Sequence, residues 1–183
     1  MKQPWAITSS GEVVLVEPER WLFEPGDWDD VEAELGTRLP RDYKDLIGDG
    51  LACILDEELG ISSPFDPHHG LNLMWTAARS AWALAYVRHH DPSIYPIAVY
   101  PEPGGLLGWG TDGGGGNYHW DTASPDPDQW TVAITGRPVS DPNIQRHARG
   151  LSAYLAALAA GEIKAAALGE WPSPNAQIVR RAT

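Results

Sequence analysis

A change in sequence texture near residue 91 is the feature that most constrains the fold of this chain. Beyond it lie four short runs of strand-forming residues, separated by clusters of proline, glycine and aspartate that are typical of turns. The predicted strands cover residues 97–100, 106–110, 117–121 and 130–135. Because connections this short join neighbouring antiparallel strands, we expect a meander.

The segments on both sides of this block have helical patterns. We predict helices over residues 27–36, 39–48, 72–90 and 149–160, a strand over 13–16, and an irregular segment with one short strand over 51–65. Asp27 is expected to cap the first helix, and Gly36 to end it. The third helix has an apolar stripe formed by Met74, Ala78, Ala81, Trp82, Ala85 and Tyr86. Helices, then strands, then a helix indicate an α+β domain.

The negative charge is concentrated in one part of the chain. The formal net charge is −12, and residues 17–58 hold fourteen acidic against four basic side chains, a net of −10. A field of this sign repels nucleic acid and anionic membranes and attracts basic proteins. We therefore expect a basic protein partner and no binding to nucleic acid or membranes. Acidity that serves only solubility is an alternative that the sequence leaves open.

The sequence predicts a cytoplasmic protein. Its first ten residues lack the apolar run of a signal peptide, and no stretch approaches the roughly 20 apolar residues of a membrane span. Cys53 is the only cysteine, so it has no partner for an intrachain disulfide. We predict that Cys53 is a small buried side chain, with a reactive thiol as the alternative.

Two motifs could suggest an enzyme. Residues 108–113 match the glycine pattern of dinucleotide-binding loops, but that loop must open a helix, whereas here glycines 113–116 lead into a predicted strand. We predict a hairpin loop and no cofactor. His68 and His69 lie a few residues after three acidic side chains, so a metal-dependent hydrolase is an alternative to a solvated loop. Neither a zinc-protease nor a serine-hydrolase motif occurs in the sequence, and we predict no catalytic residue and no metal site.

Acidic side chains supply the candidate partner-binding residues. Segment 121–130 contains Asp-Pro and Ser-Pro turns, which predict a stiff acidic loop between two strands that each carry a tryptophan. This loop is either a rigid connection or a partner-binding element. Trp109 and Trp120 are likewise either core residues or surface anchors. The candidate partner-binding residues are Asp56, Glu57, Glu58, Asp112, Asp121, Asp126 and Asp128.

Several short motifs occur in the order and spacing of a known superfamily. Residues 34–44, 48–50 and 61–65 look like the opening of the SUKH superfamily, residues 109–112, 118–122 and 126–132 resemble its strand block, and residues 151–155 are similar to its closing helix. The resemblance covers residues 29–162. It implies that the recurrent positions are fold determinants and not catalytic groups. These positions are Leu39, Pro40, Tyr43, Trp109, Gly110 and Asp121.

The resemblance also implies an architecture and a class of function. We expect a central, mostly antiparallel sheet flanked by helices in a domain of residues 27–165, with an N-terminal extension (1–26) and a C-terminal tail (166–183) that is loose after Trp171. Members of the superfamily include bacterial immunity proteins, which neutralise toxins by binding them, and fungal regulators of cell-wall synthesis. We therefore expect an immunity-type protein that binds a basic toxin, which can be a nuclease. The alternative is a non-catalytic interaction or regulatory module with no toxin partner.

Overall fold

The central element of the fold is an antiparallel sheet of seven strands, described here from a computed structural model of residues 1–93, 95–136, 144–163 and 176–181. Nine strands are described: β1 Trp5–Ile7, β2 Val13–Leu15, β3 Cys53–Leu55, β4 Leu59–Ile61, β5 Leu106–Asp112, β6 Asn117–Asp121, β7 Thr131–Thr135, β8 Gln145–His147 and β9 Ile178–Arg180. The helices are α1 Trp28–Leu35, α2 Arg41–Ile47, α3 Leu73–His90 and α4 Leu151–Ala159, with a 3-10 turn at Pro127–Gln129. The sheet order is β8-β7-β6-β5-β4-β3-β9, and β1 pairs with β2 separately. The predicted α+β class with a central antiparallel sheet is confirmed.

The meander was predicted well at its centre and poorly at its start. Strands β5, β6 and β7 are consecutive antiparallel neighbours, and glycines 113–116 form the β5–β6 hairpin loop, as predicted. The strand predicted over residues 97–100 is wrong, since only an isolated bridge joins Val99 to Leu106. The reason is local, because the Val99 amide donates to the Glu102 carboxylate at 3.1 Å and not to a neighbouring strand.

Helices cover both faces of the sheet. Helices α1, α2 and α4 pack on one face, and their apolar side chains join those of alternate strand positions in the main core. Trp109 and Trp120 are fully buried there, which settles them as core residues. Tyr43 contacts Trp120 edge-to-face, with ring centroids 5.0 Å apart, and its hydroxyl donates to the Ser62 carbonyl at 2.6 Å. The aromatic side chains therefore define the core of this small domain.

Helix α3 covers the opposite face. It lies so close to β5 that a Cβ on Gly108 would stand 2.6 Å from Cβ of Ser80, so only glycine fits there. The Asn72 side chain caps the helix by accepting from the Met74 amide at 2.9 Å. The predicted apolar stripe is wrong at Tyr86, which is 44% exposed. The buried face at this level of the helix contains the predicted Ala81 and Ala85, and Leu84 in addition.

Residues at the chain ends contribute more structure than expected. Strands β1 and β2 form a hairpin that packs on α3, where the sequence predicted a single strand. Residues 166–175 and 182–183 of the predicted C-terminal tail lie outside the described residues, but β9 forms an edge strand beside β3. The described ranges contain no helix that is both long and apolar enough to cross a membrane.

Two local predictions around the first helices and strands were wrong. The Asp27 side chain does not cap α1, because its backbone (φ −76°, ψ 49°) departs from the extended conformation that aims a capping side chain at the helix. The segment 51–65 forms two strands instead of one, β3 and β4, because a tight turn at residues 56–58 folds it back on itself. Gly36 ends α1 in the left-handed conformation, as predicted.

Candidate protein-binding surface

The β6–β7 loop is joined to helix α2 by its own carboxylates. Asp128 accepts from both the amide and the Nε of Arg41, each at 2.8 Å, and the backbone bond is the main reason why its pKa is lowered. Asp126 accepts from the Asp128 amide at 3.2 Å and pairs with Arg38 at 3.4 Å. The two loop carboxylates therefore contact basic side chains within the chain, which joins the loop to α2 and the residues before it.

Two further candidate residues stabilise the strands next to them. Asp112 accepts from the Gly116 amide at 2.7 Å and from the Tyr118 hydroxyl at 2.9 Å, which closes the β5–β6 hairpin. Asp121 accepts from the Ala123 amide at 3.2 Å and forms a close ion pair with Arg146 of β8. Four of the seven candidate carboxylates are thus occupied by contacts within the fold.

The other three candidates form the β3–β4 turn. The Glu58 amide donates to the Leu55 carbonyl at 3.1 Å, and the two central residues, Asp56 (φ 52°) and Glu57 (φ 61°), are both left-handed. Glycine and asparagine are the usual residues of such a turn, so this conformation costs of order 1 kcal/mol or more per residue. The turn presents the side chains of Glu57 and Glu58 to solvent.

A groove of about 420 Å³ lies beside this turn, along β9. Asp56 and Glu57 line one part of it, and Ile54 and Val179 contribute apolar side chains. The two arginines of the groove have partners elsewhere in the chain. Arg180 donates to the Ile47 and Leu46 carbonyls at 2.7 and 3.2 Å, and Arg181 pairs with the fully buried Asp66.

Ion pairs within the chain engage every basic side chain of the acidic segment, residues 17–58. The four pairs are Arg20–Asp30 (2.7 Å), Arg38–Asp126 (3.4 Å), Arg41–Asp128 (2.8 Å) and Lys44–Glu32 (2.7 Å). Other carboxylates of the segment are exposed and have no hydrogen bond or ion pair to any described residue. They belong to Glu17, Glu24, Asp27, Asp29, Asp45, Asp49, Glu57 and Glu58. The excess negative charge is therefore left on the surface.

Part of this charge lies where α1 begins and α2 ends. A concavity of about 350 Å³ is lined by residues 26–30, including Asp27 and Asp29. A Cβ on Gly26 would lie 3.5 Å from Oδ1 of Asp49, so the end of α2 borders the same place. We call Asp27, Asp29 and Asp49 the α1–α2 acidic surface. Arg180 packs directly on Gly50, which connects this surface to the β9 groove.

His68 and His69 are exposed, whereas His119 and Cys53 are buried. Both ring nitrogens of His119 are hydrogen-bonded. Nδ1 lies 3.0 Å from the Ser80 hydroxyl, and Nε2 lies 3.0 Å from the Thr135 hydroxyl. It is fully buried between α3 and the sheet, and burial lowers its pKa to about 3. Cys53 is buried as predicted, and burial raises the pKa of its thiol. Within the four described ranges, no group of three or more His, Cys, Asp or Glu side chains could hold a metal ion.

Strand β9 is the part of this region that sequence reasoning missed. Ile178 and Val179 are adjacent β-branched residues between polar neighbours, which is a recognisable though short strand signal. No family model, no curated protein and no solved structure matches the chain. The likeness to the SUKH superfamily therefore stays a prediction.

Proposed function

We propose that this chain is a non-catalytic protein-binding module that recognises a basic protein through the α1–α2 acidic surface. Its role would be that of a cytoplasmic immunity protein of the SUKH type, which neutralises a basic toxin by direct binding. No cofactor or metal takes part in this function. The β6–β7 loop supports the module from within and does not contact the partner.

The observation that carries this proposal is the distribution of ion pairs in residues 17–58. Each of the four basic side chains forms an ion pair with a carboxylate of the chain, while Asp27, Asp29 and Asp49 are exposed and form no ion pair with a described residue. Unpaired carboxylates on one surface attract a basic partner over a long range and accelerate its association.

A nuclease toxin fits this surface on physical grounds. Such an enzyme must present a basic surface to the phosphates of its substrate. An acidic protein that covers that surface competes directly with the nucleic acid, so binding and neutralisation become the same event. The charge distribution and the motif resemblance thus favour the same kind of partner.

Co-expression tests the proposal. The chain is expressed together with the product of a neighbouring toxin-like gene, and growth of the host and formation of a stable complex are measured. We expect the chain to restore growth and to co-elute with the toxin in a complex that high salt weakens. If no toxin-like gene is adjacent and the chain restores growth against none of a panel of basic toxins, the proposal is wrong.

A further inference from the structure

The open edge of β9 is built differently from the opposite edge of the sheet. Strand β8 consists of Gln145, Arg146 and His147, and Arg146 pairs with Asp121, so the side chains at this edge are polar. Strand β9 instead exposes Ile178 (40%) and Val179 (60%). Proteins usually protect an edge strand with charges, proline or a bulge, because unpaired strands recruit other chains.

The hydrogen bonds of β9 show which of its backbone groups are available. The Arg181 amide donates to the Ala52 carbonyl at 2.9 Å, and the Asp56 amide donates to the Gln177 carbonyl at 3.1 Å. Residues 177 and 181 therefore face β3, and alternation along an antiparallel strand adds residue 179. Ile178 and Arg180 consequently direct their N–H and C=O groups away from the sheet. In the described part of the chain, no strand pairs with this edge.

The charges beside this edge indicate the chemistry of its partner. Glu57 lines the groove and is exposed, and Glu58 follows it in the same strained turn. Arg180 and Arg181 also line the groove, but their guanidinium groups are directed to the Ile47 and Leu46 carbonyls of α2 and to the Asp66 carboxylate. The groove therefore offers an apolar side in Ile54 and Val179 and carboxylates at its end, and the adjacent outer edge of β9 offers two residues with open backbone groups. A segment with alternating apolar and basic side chains complements all three.

We infer that β9 is a docking strand, to which an extended, basic segment of the protein partner adds as an eighth strand of the sheet. This inference rests on the proposed function and identifies how the basic partner binds. Backbone hydrogen bonds to Ile178 and Arg180 supply affinity, as in other cases of strand addition, and the Glu57 carboxylate selects basic over acidic segments. The neighbouring α1–α2 acidic surface attracts the rest of the partner.

Hydrogen exchange with two model peptides tests the inference. The probes are an octapeptide of alternating valine and lysine and its counterpart of alternating valine and glutamate. We expect the lysine peptide to slow exchange of the Ile178 and Arg180 amides by at least about tenfold, and the glutamate peptide to leave both unchanged. The inference is overturned if the two peptides slow exchange of these amides equally, or if neither peptide slows it. Protection in the free protein that rises with its concentration also overturns it, because a second copy would then occupy the edge.

Matched variants separate docking from folding. Proline at an outward-facing position of an edge strand removes no ladder bond, so Ile178→Pro is expected to keep the fold and abolish protection by the lysine peptide. Ile178→Thr keeps the backbone N–H and the strand propensity, so this variant is expected to bind the lysine peptide. Glu57→Lys is expected to lower the affinity for the lysine peptide at least about tenfold. Glu12→Lys makes the same charge change on the β1–β2 hairpin and is expected to leave this affinity unchanged. An unchanged affinity of the Ile178→Pro protein with intact fold contradicts docking at β9.

The two proposals fail in different ways. If a toxin is neutralised equally by the wild-type chain and by Ile178→Pro, strand addition is wrong while the proposed function stands. If the lysine peptide protects β9 but the chain neutralises no basic toxin, the docking strand stands and the immunity function is wrong.

Discussion

The Arg41 Nε and the Asp128 Oδ2 lie 2.8 Å apart, and the amide of the same arginine donates to the other carboxylate oxygen at 2.8 Å. This double contact joins the start of α2 to a loop that lies 87 residues further along the chain. Asp128 therefore positions the loop on the start of α2.

Replacing Asp128 is therefore expected to affect stability and leave partner binding intact. Asp128→Asn weakens both contacts with Arg41, so the temperature of unfolding should fall, while the affinity for a basic partner stays within about threefold. Calorimetry and a binding titration on the same sample check this. A large loss of affinity in a protein that melts like the wild type would return Asp128 to the binding surface.

The buried tryptophans make a quantitative prediction about the core. Trp109 is fully buried, so Trp109→Ala should lower the free energy of unfolding by about 3–5 kcal/mol. Tyr86→Ala is the control, because that ring is 44% exposed and its loss should cost clearly less. Chemical denaturation measures both. Similar costs for the two variants would contradict the packing described for the main core.

His119 predicts how stability depends on pH. Because its pKa is lowered to about 3 in the folded protein from an ordinary value near 6.5, the unfolded chain binds a proton between these values and the folded chain does not. The free energy of unfolding should thus fall as pH decreases below about 6.5, by up to about 1.4 kcal/mol per pH unit from this group. Denaturation at several pH values should show a shallower dependence for His119→Gln. The same slope in both proteins would mean that another group is responsible. His89→Gln, at an exposed position, is the control.

The residue that follows β9 forms an ion pair with a buried carboxylate. Arg181 pairs with Asp66, which is fully buried and also accepts from the Ala52 and His68 amides. Arg181→Met should cost about 1–3 kcal/mol, because the carboxylate then stays buried without its cation. In a double-mutant cycle, Asp66→Asn should make the loss of Arg181 much less costly. Additive effects of the two changes would show that the pair contributes nothing.

The parts of the fold that the sequence predicted are those with strong local signals. Strand β6 was predicted with its bounds, and the glycines after Asp112 marked the hairpin, because turn chemistry depends on adjacent residues. The strand predicted around Val99 failed since a nearby carboxylate, Glu102, takes its amide. Strand β9 has only three residues and depends on pairing with β3, so its local pattern alone is too short to predict it.

The candidate site shows the same limit. Composition located the excess of acidic residues, and Asp56 and Glu57 do line a groove. Whether a carboxylate is available depends on its cationic neighbours in space, however, and Arg38 and Arg146 are distant in sequence from the aspartates that they engage. Sequence spacing therefore locates the acidic residues. It cannot show which of their carboxylates form ion pairs within the fold.

The affinity of the chain for a basic toxin that it neutralises in the co-expression test, measured as a function of salt, tests the central proposal most directly. Two variants remove the same charge: Asp27→Asn with Asp49→Asn on the α1–α2 acidic surface, and Glu12→Gln with Glu17→Gln near the β1–β2 hairpin. We predict that the first pair weakens binding at least about tenfold at low salt and flattens the salt dependence, while the second pair leaves both nearly unchanged. Equal effects of the two pairs, or an affinity that does not respond to salt, would contradict recognition through the α1–α2 acidic surface.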